Sequence, residues 1–166
     1  GEDTGGVHGA NRLGGNGVAN STVFGGVAGD SLGAWVPREG EFRDPDPLVL
    51  EAAEALCQQP LSHPPGDLES VRDRLYGIMW EDAGIVRDKG SLERAEKSLV
   101  ALEAELDGIG VAGDDLAYNL TWHDWMNLKN LILVSRSITA AALTREDSRG
   151  AHWRADFPEQ GALETS

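Results

Sequence analysis

The sequence predicts a mainly α-helical chain: a three-helix antiparallel bundle, preceded by a Gly-rich loop and one helix that have no scaffold of their own. Three observations lead to this. Apolar residues recur at helical spacing from about residue 67 to 144, capping residues stand ahead of each run, and glycine and proline crowd the region upstream. A majority of the 21 glycines precede residue 41, and most of the 7 prolines lie between Pro37 and Pro65.

The chain opens on "GEDTGGVHGANRLGGNG", a loop with no strand or helix before it. In "GVANSTVFGGVAGDSLGAWV" the pairs Val23 and Val27, Phe24 and Ala28, and Ala28 and Leu32 sit four apart, which places one apolar stripe on a helix ending near Val36. Gly25 and Gly26 inside it each cost roughly 1 kcal/mol against Ala, a cost that fits a closely approaching backbone. A short helix of this kind is marginal in water and is expected to pack on a sheet outside the chain. Residues 37–66 read as a Pro-rich connector around one short helix, about Pro47 to Gln58. Asp67 caps the next helix, with Leu68, Val71, Leu75, Ile78 and Met79 on one face and Gly84 at its end. Ser91 is the expected cap of a second, carrying Leu92, Ala95, Leu99, Leu102 and Leu106 and closed by Gly108. Asp114 or Asp115 is expected to open a long third helix, about Leu116 to Thr144, with Leu120, Trp125, Leu128, Leu131, Ile132, Ser135 and Ile138. Short loops between the three imply antiparallel neighbours. The division is therefore 1–36, loop and helix; 37–66, connector; 67–145, bundle; and 146–166, tail.

Composition narrows the function. A chain of 166 residues, 40% hydrophobic and 25% charged, is long enough for one core. Its net charge of −14 argues against nucleic acid and against direct contact with an anionic membrane. The apolar run near Leu128 to Leu143 is broken by Lys129, Asn130, Ser135 and Arg136, so no insertion into a bilayer is expected. Cys57 stands alone and reads as a small buried side chain on a helix, which fits a reducing, cytoplasmic setting.

Three motifs are specific. "HGANRLGGN", His8 to Asn16, with "GE" ahead of it, resembles the flavin-binding segment of the succinate dehydrogenase and fumarate reductase flavoproteins, a family that includes L-aspartate oxidase. "MWEDAGIVRD" (Met79 to Asp88) and "TREDSRGAHWRADFP" (Thr144 to Pro158) resemble that family's C-terminal helical domain and tail, in the same order. The resemblance implies that the opening loop and helix come from an incomplete Rossmann-like FAD domain. No βαβ unit opened by a G-x-G-x-x-G fingerprint is expected in the 166 residues, so this reads as the C-terminal piece of a larger FAD-dependent oxidoreductase, inactive by itself.

By that resemblance Glu2 is the acid that accepts hydrogen bonds from the FAD ribose, a role suited to a carboxylate with two acceptor oxygens. Arg12 is the substrate-binding residue, clamping a carboxylate of the dicarboxylic substrate beside the flavin through its planar fork. Asn16, Gly17 and Val18 mark the helix start whose N–H groups face the flavin pyrimidine edge, where the helix dipole stabilises negative charge. Gly17 stands where membrane-bound relatives have Ser. His8 is a possible positioning residue, since the family's proton donor is an arginine elsewhere, and no catalytic residue is assigned within the chain. His123, between Trp122 and Asp124, is a packed or solvated helix residue, while His152, with Arg149 and Arg154, docks the tail on the body. No metal site is expected, because His123 and Asp124 point apart on a helix. Trp80, Trp122, Trp125 and Trp153 read as core and interface anchors.

The implied partners are the remainder of the flavoprotein chain, a dicarboxylate substrate, and an iron-sulfur or haem electron-transfer partner. Gly14 and Gly15, where L-aspartate oxidases usually carry Ala-Ser, make an aspartate oxidase the second reading. A non-catalytic helical interaction domain over residues 45–158 is the third.

Overall fold

The computed structural model describes residues 14–113 and 115–162. It is mainly helical, with α1 (Gly17–Glu39), α2 (Pro47–Gln58), α3 (Leu68–Glu81), α4 (Lys89–Asp107) and α5 (Leu120–Thr144), and two short strands, β1 (Val86–Arg87) and β2 (Trp153–Arg154).

The core lies where α3, α4 and α5 pack on one another. Leu68, Val71 and Leu75 of α3, Leu99, Leu102 and Leu106 of α4, and Trp125, Leu128 and Ile132 of α5 form one buried cluster with Val111. A second, smaller cluster joins Ala83, Leu92, Ala95 and Ala142. Every residue of the α4 stripe expected from spacing is buried. On α5 the expectation fails for Leu120, Leu131 and Ile138, which are exposed, because Thr139 and Ala142 continue the buried stripe instead. Trp125 is fully enclosed and donates its indole N–H to the carbonyls of Leu106 (3.1 Å) and Ile109 (2.9 Å), tying α5 to the end of α4. Trp122 donates to the Cys57 carbonyl at 2.7 Å, so the two act as anchors. Trp80, 73% exposed, and the half-exposed Trp153 do not belong to the core.

Two helix starts differ from expectation. Asp88, not Ser91, caps α4: its carboxylate accepts the Ser91 N–H at 2.9 Å while the Ser91 hydroxyl accepts the Asp88 N–H at 3.2 Å, a reciprocal pair. Asn119, not Asp115, caps α5, its side chain accepting the Trp122 N–H at 2.9 Å; Asp114 lies outside the described residues. The reason is the turn before it. Tyr118 takes a positive φ of 58°, and the Asn119 amide donates to Ala112 and Asp115 carbonyls, so the chain cannot turn helical until residue 120.

The connector is fastened at Gly110. Its N–H donates to the Pro64 carbonyl at 2.9 Å, and a Cβ there would stand 1.8 Å from the His63 carbonyl oxygen, so only glycine allows this approach. Gly108, Gly110 and Gly113 have the spacing of G-x-G-x-x-G, yet they follow a helix rather than a strand and so open no βαβ unit. Across α4 and α5, Lys129 pairs with Glu103 (3.1 Å) and Asp107 (2.6 Å), and Arg136 also pairs with Glu103. α1 runs through Pro37 to Glu39, three residues past the expected end. Its apolar residues Val23, Val27, Leu32 and Val36 are exposed, and a Cβ on Gly26 would meet nothing within 4 Å. Among the described residues no helix is long and apolar enough to cross a membrane.

Candidate functional site

Two places gather the residues singled out above. The first is the start of α1. Gly15 takes a φ of +100° and turns the chain into Asn16, which occupies the cap position at φ −91° and ψ 4°. The Asn16 carbonyl accepts the Asn20 N–H at 2.9 Å, but its side chain caps nothing in the helix. The first N–H groups of a helix have no carbonyl ahead of them, and no acidic residue in this first turn faces their partial positive charge. Val18 is 83% exposed. The open N–H groups here can donate to an electron-rich acceptor. Glu2, His8 and Arg12 lie outside the described residues.

The second place is the tail. β2 pairs in parallel with β1, Val86 beside Trp153 and Arg87 beside Arg154, which brings the two quoted C-terminal motifs together. Arg154 is almost wholly buried. Its guanidinium donates to the carbonyls of Ala142 (2.8 Å), Leu143 (3.1 Å) and Arg145 (2.9 Å), satisfying the open C-terminal end of α5, and also pairs with Asp156 at 2.7 Å. That hydrogen bond from Arg154 holds the Asp156 carboxyl far below its ordinary range. Asp147 receives Arg145 at 3.0 Å and Arg149 at 3.3 Å, and its pKa is likewise lowered, first by the bond from Arg145. Arg149 also donates to the Gly161 carbonyl at 2.7 Å. The Ser148 hydroxyl accepts the Arg154 N–H at 2.9 Å and donates to the Phe157 carbonyl at 2.8 Å.

His152 is buried, with its Nδ1 2.8 Å from a terminal nitrogen of Arg87. Since a guanidinium only donates, Nδ1 accepts, and the neutral ring carries its proton on Nε2. Burial, then the charges of Arg87, Arg145 and Arg154, lower the His152 pKa. These contacts make His152, Arg149 and Arg154 docking residues of the tail, as the sequence suggests. Arg87 and Arg145 also bear on His152; both stand inside the quoted motifs, but 58 positions separate them, and nothing in their spacing marks the shared cluster. His123 is exposed on α5, with its ring edge against Trp122 at 4.9 Å between centroids.

Residues 72–164 match a family described as the fumarate reductase flavoprotein C-terminal region. An uncharacterised FAD-dependent oxidoreductase of Methanocaldococcus jannaschii is 37% identical over 161 residues, 96% of this chain and 28% of that protein. The CoM/CoB fumarate reductase of Methanothermobacter marburgensis has one subunit that is 37% identical over 159 residues, again 96% of this chain and 28% of the relative. Among solved structures, Mycobacterium smegmatis Sdh1 in complex with UQ1 superposes with a TM-score of 0.84 at 32% identity, covering 98% of this chain and 27% of that one. The chain thus spans little more than a quarter of the length of these relatives.

Proposed function

The chain belongs to the fumarate reductase flavoprotein C-terminal family, and from that premise we propose that it is the C-terminal part of a larger FAD-dependent oxidoreductase acting on a dicarboxylate. The observation that carries this reading is the reach of the similarity. It runs through 96% of the chain, far beyond the matched residues 72–164 and into the N-terminal segment that holds the flavin-type motif, in relatives more than three times as long.

When bound, FAD supplies hydride exchange with a C–C or C=C bond of the substrate. This chain's part is to bind and orient. Arg12 holds a substrate carboxylate through two parallel bonds and remains charged at any working pH. Glu2 accepts from ribose hydroxyls, and His8 is a positioning residue rather than a proton donor. The backbone N–H groups from Asn16 to Val18 offer a positive helix end to the electron-rich edge of the flavin. The side-chain-free cap and acid-free first turn of α1 support that fit. We assign residues 1–36 to the FAD domain, 37–66 to a connector, 67–145 to the helical domain and 146–166 to its tail. The remaining partners are the rest of the flavoprotein and an iron-sulfur or haem electron carrier; the Methanothermobacter relative is itself one subunit of its reductase, which supports a multi-chain assembly.

The test is the visible absorption of this purified chain after incubation with excess FAD and desalting, set beside the full-length protein. The expected result is a colourless 166-residue chain and a yellow full-length protein. A full-length protein without a flavin band would overturn the reading, and a flavin retained by the short chain would show that Glu2, Arg12 and Asn16 form a sufficient site.

A further inference from the structure

We propose that the groove between the C-terminal ends of α3 and α5 and the tail is a seat for a carboxylate on a short apolar stem, held by Arg87 and Arg145 beside His152. The groove encloses about 400 Å³. Its walls are Met79 and Ala83 on one side and Ile138, Ala141 and Ala142 on the other, with Arg87, Arg145 and His152 at the polar end.

The polar end holds donors in excess of acceptors. Arg87 is partly buried, its Nε fixed by the carbonyls of Gly84 (2.8 Å) and Ala83 (3.1 Å) and one terminal nitrogen by His152. Burial lowers its pKa, and no carboxylate among the described residues stands within ion-pair distance of it. An unneutralised, half-dehydrated cation is costly, and it is unusual in a chain of net charge −14. The neighbouring carboxylates are already engaged: Asp147 by Arg145 and Arg149, and Asp156 by Arg154. His152, only 3% exposed, uses Nδ1 as acceptor for Arg87, and its buried Nε2 has no partner among the described residues.

Every unspent group at this end is therefore a donor, and the complementary chemistry is an anionic acceptor. A carboxylate suits it better than a compact inorganic anion. Its planar pair of oxygens matches a guanidinium fork, and the hydrocarbon attached to it lies along Met79, Ile138 and Ala141 at no dehydration cost. The carboxylate comes from a free small molecule or from a side chain of a polypeptide segment outside this chain; both place the same group against Arg87.

The experiment is a titration of the 15N-labelled chain with succinate at constant ionic strength, following the Arg87 Nε–H and the His152 ring by NMR. A saturable shift is expected with succinate and none with chloride or dimethyl succinate. Arg87→Gln and Arg145→Gln each weaken it by about tenfold or more. Arg87→Gln also removes bonds to the turn that follows α3, so the comparison of succinate with its dimethyl ester on the unaltered chain stands without any variant. A non-saturating shift, an equal shift with the ester or chloride, or an undiminished shift in Arg145→Gln overturns the proposal. Repeating the titration on the full-length protein identifies the source. A saturable shift there supports a free carboxylate, and an Arg87 signal already at its bound position supports a carboxylate of the surrounding polypeptide.

Discussion

At the residue scale, His152 shows how burial converts an ordinary side chain into a pH-dependent fastener. Its pKa is lowered by burial and by three guanidiniums, so the folded chain prefers the neutral ring that accepts from Arg87. The unfolded chain takes up a proton near the ordinary value of about 6.5. The stability that neutral His152 contributes is thus complete above about pH 6.5 and is lost as pH falls through its lowered folded value. We expect the unfolding midpoint to decrease between about pH 7 and 5, and His152→Gln to flatten that interval, as read by thermal melts followed by circular dichroism. Asp147 and Asp156 lose their share only at lower pH, since bonds from Arg145 and Arg154 hold their carboxyls below the ordinary aspartate value. The tail role of His152, Arg149 and Arg154 was legible in their motif. The individual bonds were not, because Arg87 approaches from a different strand.

Among elements, the long periodic helices were the most legible and their first residues the least. The five apolar residues of the α4 stripe are spaced so that only a helix puts them together, and all five are buried. Which polar residue caps that helix depends on a competition among neighbours. Ser91 is a good cap by type, yet Asp88 stands three residues earlier and the two bond reciprocally, so the helix begins at Lys89. Asp88→Ala should cost about 1 kcal/mol of stability in urea denaturation, with Ser91→Ala costing less, since Asp88 supplies the charged acceptor at the positive helix end. A larger loss from Ser91→Ala than from Asp88→Ala would contradict this order. α5 repeats the lesson, with Asn119 taking the cap because Tyr118 cannot join a helix at positive φ.

For the whole molecule, the division of burial is uneven. α3, α4 and α5 enclose a shared core, whereas α1 exposes Val18, Val23, Val27, Leu32 and Val36. Few buried contacts mean a low free energy of local opening. Hydrogen exchange of the isolated chain should therefore show slow amides in α4 and α5 around Leu99, Leu106, Leu128 and Ile132, and fast amides through α1. Equal protection in α1 and α5 would refute the picture. Read alone, the amino-acid order determined the helical class, the apolar stripes of α3 and α4, the place of α2 and the family, because each rests on local spacing or a contiguous motif. Only the tertiary structure decided that Leu120, Leu131 and Ile138 of α5 stay outside the core, why Gly110 must be glycine, and that Arg87 meets His152 across 65 residues of chain. Those outcomes depend on which distant segments touch, and spacing along a chain carries no measure of that.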